Sequence, residues 1–152
     1  MSFIDLRSDT VTRPTPAMRE AMALAAVWDE QFRVDPTINS LEERVAGLLG
    51  KEPALWLPTG TMANQVALRV LTHPGDHVVV SRESHAVWHE TGGAGANAGV
   101  QLTEIGSRGV FTADEFLSVR HPRGHMLLPP TTVVQIENTH NRSGRVVFPH
   151  HQ

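Results

Sequence analysis

The chain opens on a polar stretch, Asp5-Leu6-Arg7-Ser8-Asp9-Thr10-Val11-Thr12, that follows neither helical nor strand periodicity and predicts an extended arm. Thr15 followed by Pro16 is a helix start signal, and Ala17 to Ala26 is rich in helix formers. After a linker, Trp28 to Val34, the pair Asp35-Pro36 repeats the signal. Ile38, Leu41, Val45, Leu48 and Leu49 then mark one helical face, ended by Gly50. Ala54-Leu55-Trp56-Leu57 is a short apolar run and predicts a buried strand. The turn Pro58-Thr59-Gly60 leads into a helix with Ala63, Val66, Ala67, Val70 and Leu71 on one side.

Beyond a second turn, Pro74-Gly75-Asp76, the β-branched run Val78-Val79-Val80 predicts a strand. Ser84 starts a short helical piece, Ala86 to Thr91, stopped by Gly92-Gly93. Val100 to Ile105 and Thr131 to Ile136 predict further strands, with a helix over Ala113 to Val119 between them. Strands alternating with helices across short turns predict an α/β fold, a three-layer αβα arrangement around a mostly parallel sheet. Residues 1–14 read as an arm and residues 15–152 as one domain.

Composition narrows the function. The 152 residues are 40% hydrophobic and 19% charged, as in a globular protein able to bury a core. A net charge of −3 gives no reason to expect nucleic acid or an anionic membrane as a partner. There are no cysteines, so disulfides and thiolate metal sites are excluded. No apolar run reaches the ~20 residues that span a bilayer, and the start lacks the pattern of a signal peptide, so a cytoplasmic location is expected. Histidine occurs nine times, whereas lysine occurs only at Lys51.

Four segments carry candidate chemistry. Pro58-Thr59-Gly60-Thr61-Met62-Ala63-Asn64 places Gly60 and Thr61 at a helix N-terminus. There, free amides and the positive end of the helix dipole suit a phosphate; the same pattern also describes an ordinary turn with a threonine cap. His85-Ala86-Val87-Trp88-His89-Glu90 sets two histidines at zinc-ligand spacing. The acid does not stand between them and no third ligand is evident, so one functional and one surface histidine is the better reading, and no metal is expected. Gly93-Ala94-Gly95-Ala96-Asn97-Ala98 matches a dinucleotide fingerprint by letter, but it precedes a strand instead of a helix. It reads as small residues for tight packing. Glu137-Asn138-Thr139-His140-Asn141 follows a strand, where α/β folds place ligands, although any polar loop has that composition.

Taken together, these segments resemble low-specificity threonine aldolases and their β-eliminating lyase relatives, pyridoxal-phosphate (PLP) enzymes of the aspartate aminotransferase-like fold. The resemblance rests on Asp5 to Thr15, Asp35-Pro36-Thr37, Pro58 to Asn64, Glu90-x-Gly92-Gly93-Ala94 and Glu137 to Asn141, in family order and with family-like spacing. It implies that the chain is the N-terminal portion of a PLP-binding large domain. Gly60 and Thr61 would hold the cofactor phosphate, and His85 would stack on the pyridine ring. Ser8 would help bind the substrate carboxylate, and His125 would be a second active-site histidine near the substrate hydroxyl. Asn138, Thr139 and His140 would lie near the cofactor.

The sequence departs from the family at Phe32, where a tyrosine is usual, and at Arg33 or Val34, where a glycine is usual. The Schiff-base lysine, the aspartate that pairs with the pyridine nitrogen and the small domain would all follow residue 152. Lys51, just past a helix stop, is no substitute. The expected function is cleavage of threonine or related β-hydroxy amino acids to glycine and an aldehyde, with His85 and His125 as candidates for proton transfer. The full-length form is expected to be a homo-oligomer. The alternative is a short, non-catalytic homologue that binds phosphate or PLP, or serves as an interaction module.

Overall fold

The computed structural model describes residues 4–149; the first residues of the expected arm and the tail His150-His151-Gln152, for which no element was expected, lie outside them. The chain forms two compact units, Met1–Trp56 and Leu57–Gln152.

The first unit is organised by two capped helices. Thr15 caps α1 (Pro16–Leu24) by accepting the Met18 amide at 3.2 Å. Asp35 caps α2 (Pro36–Leu49), accepting the amides of Ile38 at 2.9 Å and Thr37 at 3.0 Å, while its second oxygen takes the Trp28 amide at 2.8 Å. These bonds, those from Ile38 and Trp28 foremost, hold its carboxyl below the usual range despite burial. Gly50 ends α2 in the left-handed conformation, φ 62°. Both helix starts and the glycine stop agree with the sequence expectation.

The apolar face of α2 does not become a core within this unit. Leu41, Val45, Leu48 and Leu49 stay exposed, and the buried residues are Asp35, Glu42 and Ala46. Glu42 serves as a polar hub: its carboxylate takes the Arg33 guanidinium at 2.9 Å and the Trp56 amide at 2.7 Å. The buried strand expected at Ala54–Leu57 does not form. Leu55 and Trp56 are 63% and 46% exposed, and the segment is irregular. A strand needs a neighbour to satisfy its backbone; among the described residues no strand lies alongside.

The second unit is the α/β body. Its strands β1 (His77–Ser81), β2 (Gln101–Ile105) and β3 (Thr131–Gln135) form a parallel sheet in the order β2-β1-β3. Central β1 is buried along its whole length. Val78 and Val80 face one side, packing with Leu68 of α3 (Gly60–Leu71) and with Ala94 and Ala98 of a π-helical turn, Ala94–Ala98. Val79 faces the other side, where Ile105, Phe111 and Phe148 meet Phe116 and Val119 of the capped helix Ala113–Val119. Burying each valine contributes about 2 kcal/mol. Helices on both faces of a parallel sheet are the three-layer arrangement expected.

His77 extends this core sideways. At 1% exposure its Nδ1 lies 2.7 Å from the Thr131 hydroxyl on β3, and its Nε2 lies 2.8 Å from the Thr103 hydroxyl on β2. The short helix after β1 is shorter than expected: α4 covers His85–Trp88, and the helix after β2, Ala113–Val119, is therefore α5. No helix of the described residues is long and apolar enough to cross a membrane.

Candidate active site

Three segments of the second unit are joined by side-chain bonds at the C-terminal edge of the sheet. The first is the start of α3. Thr59 is its N-cap, accepting the Met62 amide at 3.0 Å, and its carbonyl takes the Ala63 amide at 3.1 Å. The amides of Gly60 and Thr61 are left without a partner among the described residues. A Cβ built on Gly60 meets nothing within 4 Å, so crowding does not require glycine there. Free N–H groups at the positive end of a twelve-residue helix suit a phosphate group. The threonine-cap reading of this turn holds at Thr59, and the amides of Gly60 and Thr61 stay unpaired beside it.

The second segment is α4, which follows β1 and carries His85. Its imidazole Nδ1 lies 2.9 Å from Oε1 of Glu90, whose side chain is fully buried. That carboxylate also accepts the side-chain amides of Asn64 at 2.6 Å and Gln65 at 2.5 Å. Asn64 and Gln65 stand four residues after Gly60 and Thr61, on the same face of α3 and one turn further in. Glu90 thus ties His85 to the helix whose first amides are free. Burial pushes the Glu90 carboxyl up, but the hydrogen bonds from Asn64, His85 and Gln65 prevail and hold it below its ordinary value.

Packing around Glu90 depends on the glycines that follow it. A Cβ on Gly93 would stand 2.8 Å from Cδ of Gln65, so the chain passes too close to that side chain to carry a larger residue without displacing it. This is the close approach expected of the small-residue run.

The third segment follows β3. The carboxylate of Glu137 accepts the His85 amide at 2.5 Å and the Asn141 amide at 2.7 Å, linking the loop after β3 to the start of α4. The Asn138 side chain takes the Phe148 amide at 3.3 Å. His140 is wholly buried, and its ring would collide with any Cβ on Gly109. Both its nitrogens lack a partner among the described residues, as do the buried hydroxyls of Ser81 and Ser84 and Oε1 of Gln135. Unsatisfied polar atoms therefore gather where the strands end and where α/β folds bind ligands.

His89, at the end of α4, has its ring 5.3 Å from that of His85. Among the described residues no group of three His, Asp or Glu side chains forms a metal cluster. His125 is exposed, and its Nδ1 accepts the amides of Leu127 and Leu128, each at 3.1 Å. It lies in a loop that leaves from His121 and returns to Pro130, both bonded at the opposite, N-terminal edge of the sheet. Among the described residues no hydrogen bond or ring contact joins it to His85. Ser8 belongs to the first unit, where its hydroxyl accepts the Thr10 amide at 3.2 Å and hydroxyl at 2.9 Å. Lys51 is exposed in the same unit.

The second unit is thus a parallel α/β sheet with a free helix N-terminus and a tethered imidazole at one edge. Residues 5–151 match the beta-eliminating lyase family, and the chain belongs to it. It is 41% identical over 148 residues to low-specificity L-threonine aldolase 1 of Arabidopsis thaliana, covering 95% of this chain and 41% of the relative. It is also 41% identical over 141 residues to low specificity L-threonine aldolase of Escherichia coli O157:H7, covering 91% of this chain and 42% of that protein. A relative named alanine racemase TOXG, from Cochliobolus carbonum, is 36% identical, with 97% and 38% coverage. The chain spans about two fifths of the length of these curated relatives.

Proposed function

We propose that this chain supplies the phosphate-binding and imidazole-bearing part of a pyridoxal-phosphate lyase. Its substrates are threonine and related β-hydroxy amino acids, and its products are glycine and an aldehyde. The observation that carries this reading is the Glu90 bridge, which joins His85 to the helix whose Gly60 and Thr61 amides are free. Gly60 and Thr61 fit a cofactor phosphate because their N–H groups are unpaired at the start of a twelve-residue helix.

Bound pyridoxal phosphate would supply a sink for the electron pair released when Cα–Cβ breaks. The chain's own residues do the rest of what this portion contributes. Gly60 and Thr61 would hold the phosphate, and His85 would stand beside the cofactor ring. His85 is the first candidate to take the proton of the β-hydroxyl, because its Nε2 has no partner among the described residues. Ser8 is proposed to bind the substrate carboxylate, and a role for His125, whose loop is anchored at the opposite edge of the sheet, rests on the family resemblance alone. The full-length protein is proposed to act as a homo-oligomer in the cytoplasm.

The test uses the full-length natural protein, titrated with pyridoxal phosphate and followed by its visible absorbance. L-threonine is then added, and acetaldehyde and glycine are both measured. Equal yields of the two products are expected. Cofactor binding without acetaldehyde would favour the non-catalytic homologue. Interconversion of alanine enantiomers without acetaldehyde would move the activity toward that named for the racemase relative. No cofactor binding at all would overturn the reading.

A further inference from the structure

We propose that Glu90 is a positioning residue, holding His85 as the tautomer protonated at Nδ1 so that Nε2 faces the substrate as a proton acceptor. The tautomer follows from the inventory of donors around one carboxylate. An ionised carboxylate only accepts hydrogen bonds, so a ring nitrogen 2.9 Å from Oε1 must carry the proton. Asn64 and Gln65 bring their NH₂ groups to the same carboxylate, at 2.6 and 2.5 Å. Gln65 uses its remaining oxygen to accept the Asn97 side-chain amide at 3.2 Å, which fixes the orientation of its own amide. Three donors converging on a side chain with no solvent exposure keep the acceptor anionic and leave it one conformation.

The imidazole is held from a second direction as well. Its own backbone amide is bound by Glu137, at 2.5 Å. Ring and backbone are therefore anchored by separate carboxylates from separate elements. The Nε2 side is left open, with the His85 side chain 36% exposed. A neutral imidazole fixed at Nδ1 and free at Nε2 is ready to accept a proton without first reorienting. A carboxylate that orients a histidine in this way acts through the histidine, and itself touches no reacting atom.

The tautomer stands on geometry alone, whereas its use as a proton acceptor rests on the function proposed above. Two readouts on the full-length protein keep these apart. The first needs no cofactor: long-range proton–nitrogen NMR of histidine-labelled protein, with the His85 signals assigned by their loss in His85→Gln. The expected pattern is Nδ1 protonated and Nε2 bare in the parent. In Glu90→Gln, whose carboxamide can also donate, that preference is lost and the two nitrogen shifts average. Thr112→Ala, which weakens a distant helix cap, leaves the His85 pattern unchanged. A parent protonated at Nε2, or an unchanged tautomer in Glu90→Gln, overturns the proposal. The parent measurement decides even if the variant fails to fold.

The second readout is steady-state turnover of the cofactor-loaded enzyme. Glu90→Gln is expected to lower kcat about a hundredfold with KM little changed, the scale of one misplaced proton acceptor. Loss of the tautomer with unchanged kcat would remove His85 as the acceptor and leave Glu90 a purely structural anchor. Failure of the proposed lyase activity in the parent would leave the NMR result standing.

Discussion

The imidazole of His77 stacks on that of His121, with ring centroids 4.4 Å apart and planes inclined by 24°. The His121 ring is itself fixed, with its Nδ1 2.9 Å from the carbonyl oxygen of Pro129. Burial first, and the neighbouring His121 second, hold the pKa of His77 below its ordinary value of 6.5. The unfolded chain therefore binds a proton more readily than the folded one, so stability rises with pH across this interval. The contribution is complete above 6.5 and is lost as pH falls through the folded value. Thermal unfolding followed by circular dichroism should show a falling midpoint on acidification below 6.5. His77→Gln should flatten that slope, whereas His73→Gln, at a side chain 93% exposed, should not. Equal slopes in parent and His77→Gln would show that the stack is not the titrating element.

Gly60→Ala separates the binding role of the α3 start from its structural one. A methyl group there meets nothing within 4 Å, so stability should stay within about 0.5 kcal/mol of the parent. The same methyl stands beside the unpaired amides, and affinity for pyridoxal phosphate should fall at least about tenfold by calorimetric titration. Thr59→Ala should instead cost about 1 kcal/mol of stability through loss of the cap. Unchanged cofactor affinity in Gly60→Ala would move the phosphate elsewhere.

Two glycines with similar backbones should respond very differently to alanine. Gly109 has φ 80° and Gly124 has φ 76°, both left-handed. A Cβ on Gly109 runs into the buried His140 ring, while one on Gly124 meets open space. Gly109→Ala should cost about 3 kcal/mol from conformational strain and overpacking together, and Gly124→Ala about 1 kcal/mol from strain alone. Urea titration of the two variants measures the difference directly.

Glu137→Gln tests the bridge between the loop after β3 and α4. The parent carboxylate accepts the amides of His85 and Asn141 on separate oxygens, and the carboxamide keeps only one acceptor. Hydrogen exchange at one or both of these amides should accelerate about tenfold, while the valine amides of β1 stay protected. Uniform acceleration across the sheet would mean that Glu137 supports the whole unit and not the edge alone.

Much of the architecture was legible because its signals are local. Thr15-Pro16 and Asp35-Pro36 announced two helices whose caps hold as expected, and Gly50 ended the second. Val78 to Val80 had no polar alternation, which is what a strand covered on both faces requires. Ala54 to Leu57 carried the same composition without the outcome, because a short apolar run says nothing about whether a pairing neighbour exists. The site was legible in its parts and not in its wiring. Gly60, Thr61 and His85 stood out by type and position, and Glu90 only as a letter in a family-like stretch, with nothing to assign it the bonds to His85, Asn64 and Gln65. Helical spacing drew attention to His89, four residues after His85, whereas α4 ends at Trp88 and the chain turns back to bring Glu90 to the ring. No periodicity encodes a partner reached through a broken helix, and Asn64 and Gln65 gave no hint of converging on a residue so far along the chain.

The burial of β1 has a consequence for synthesis. During translation Val78-Val79-Val80 leaves the ribosome before either partner, residues 101–105 and 131–135, has emerged to pair with it. Until then the nascent chain carries an apolar ribbon with both hydrogen-bonding rims bare, the feature that chaperones recognise and that seeds aggregation. A translational delay before residues 131–135 have emerged would therefore lower the soluble yield of this protein more than the same delay placed later.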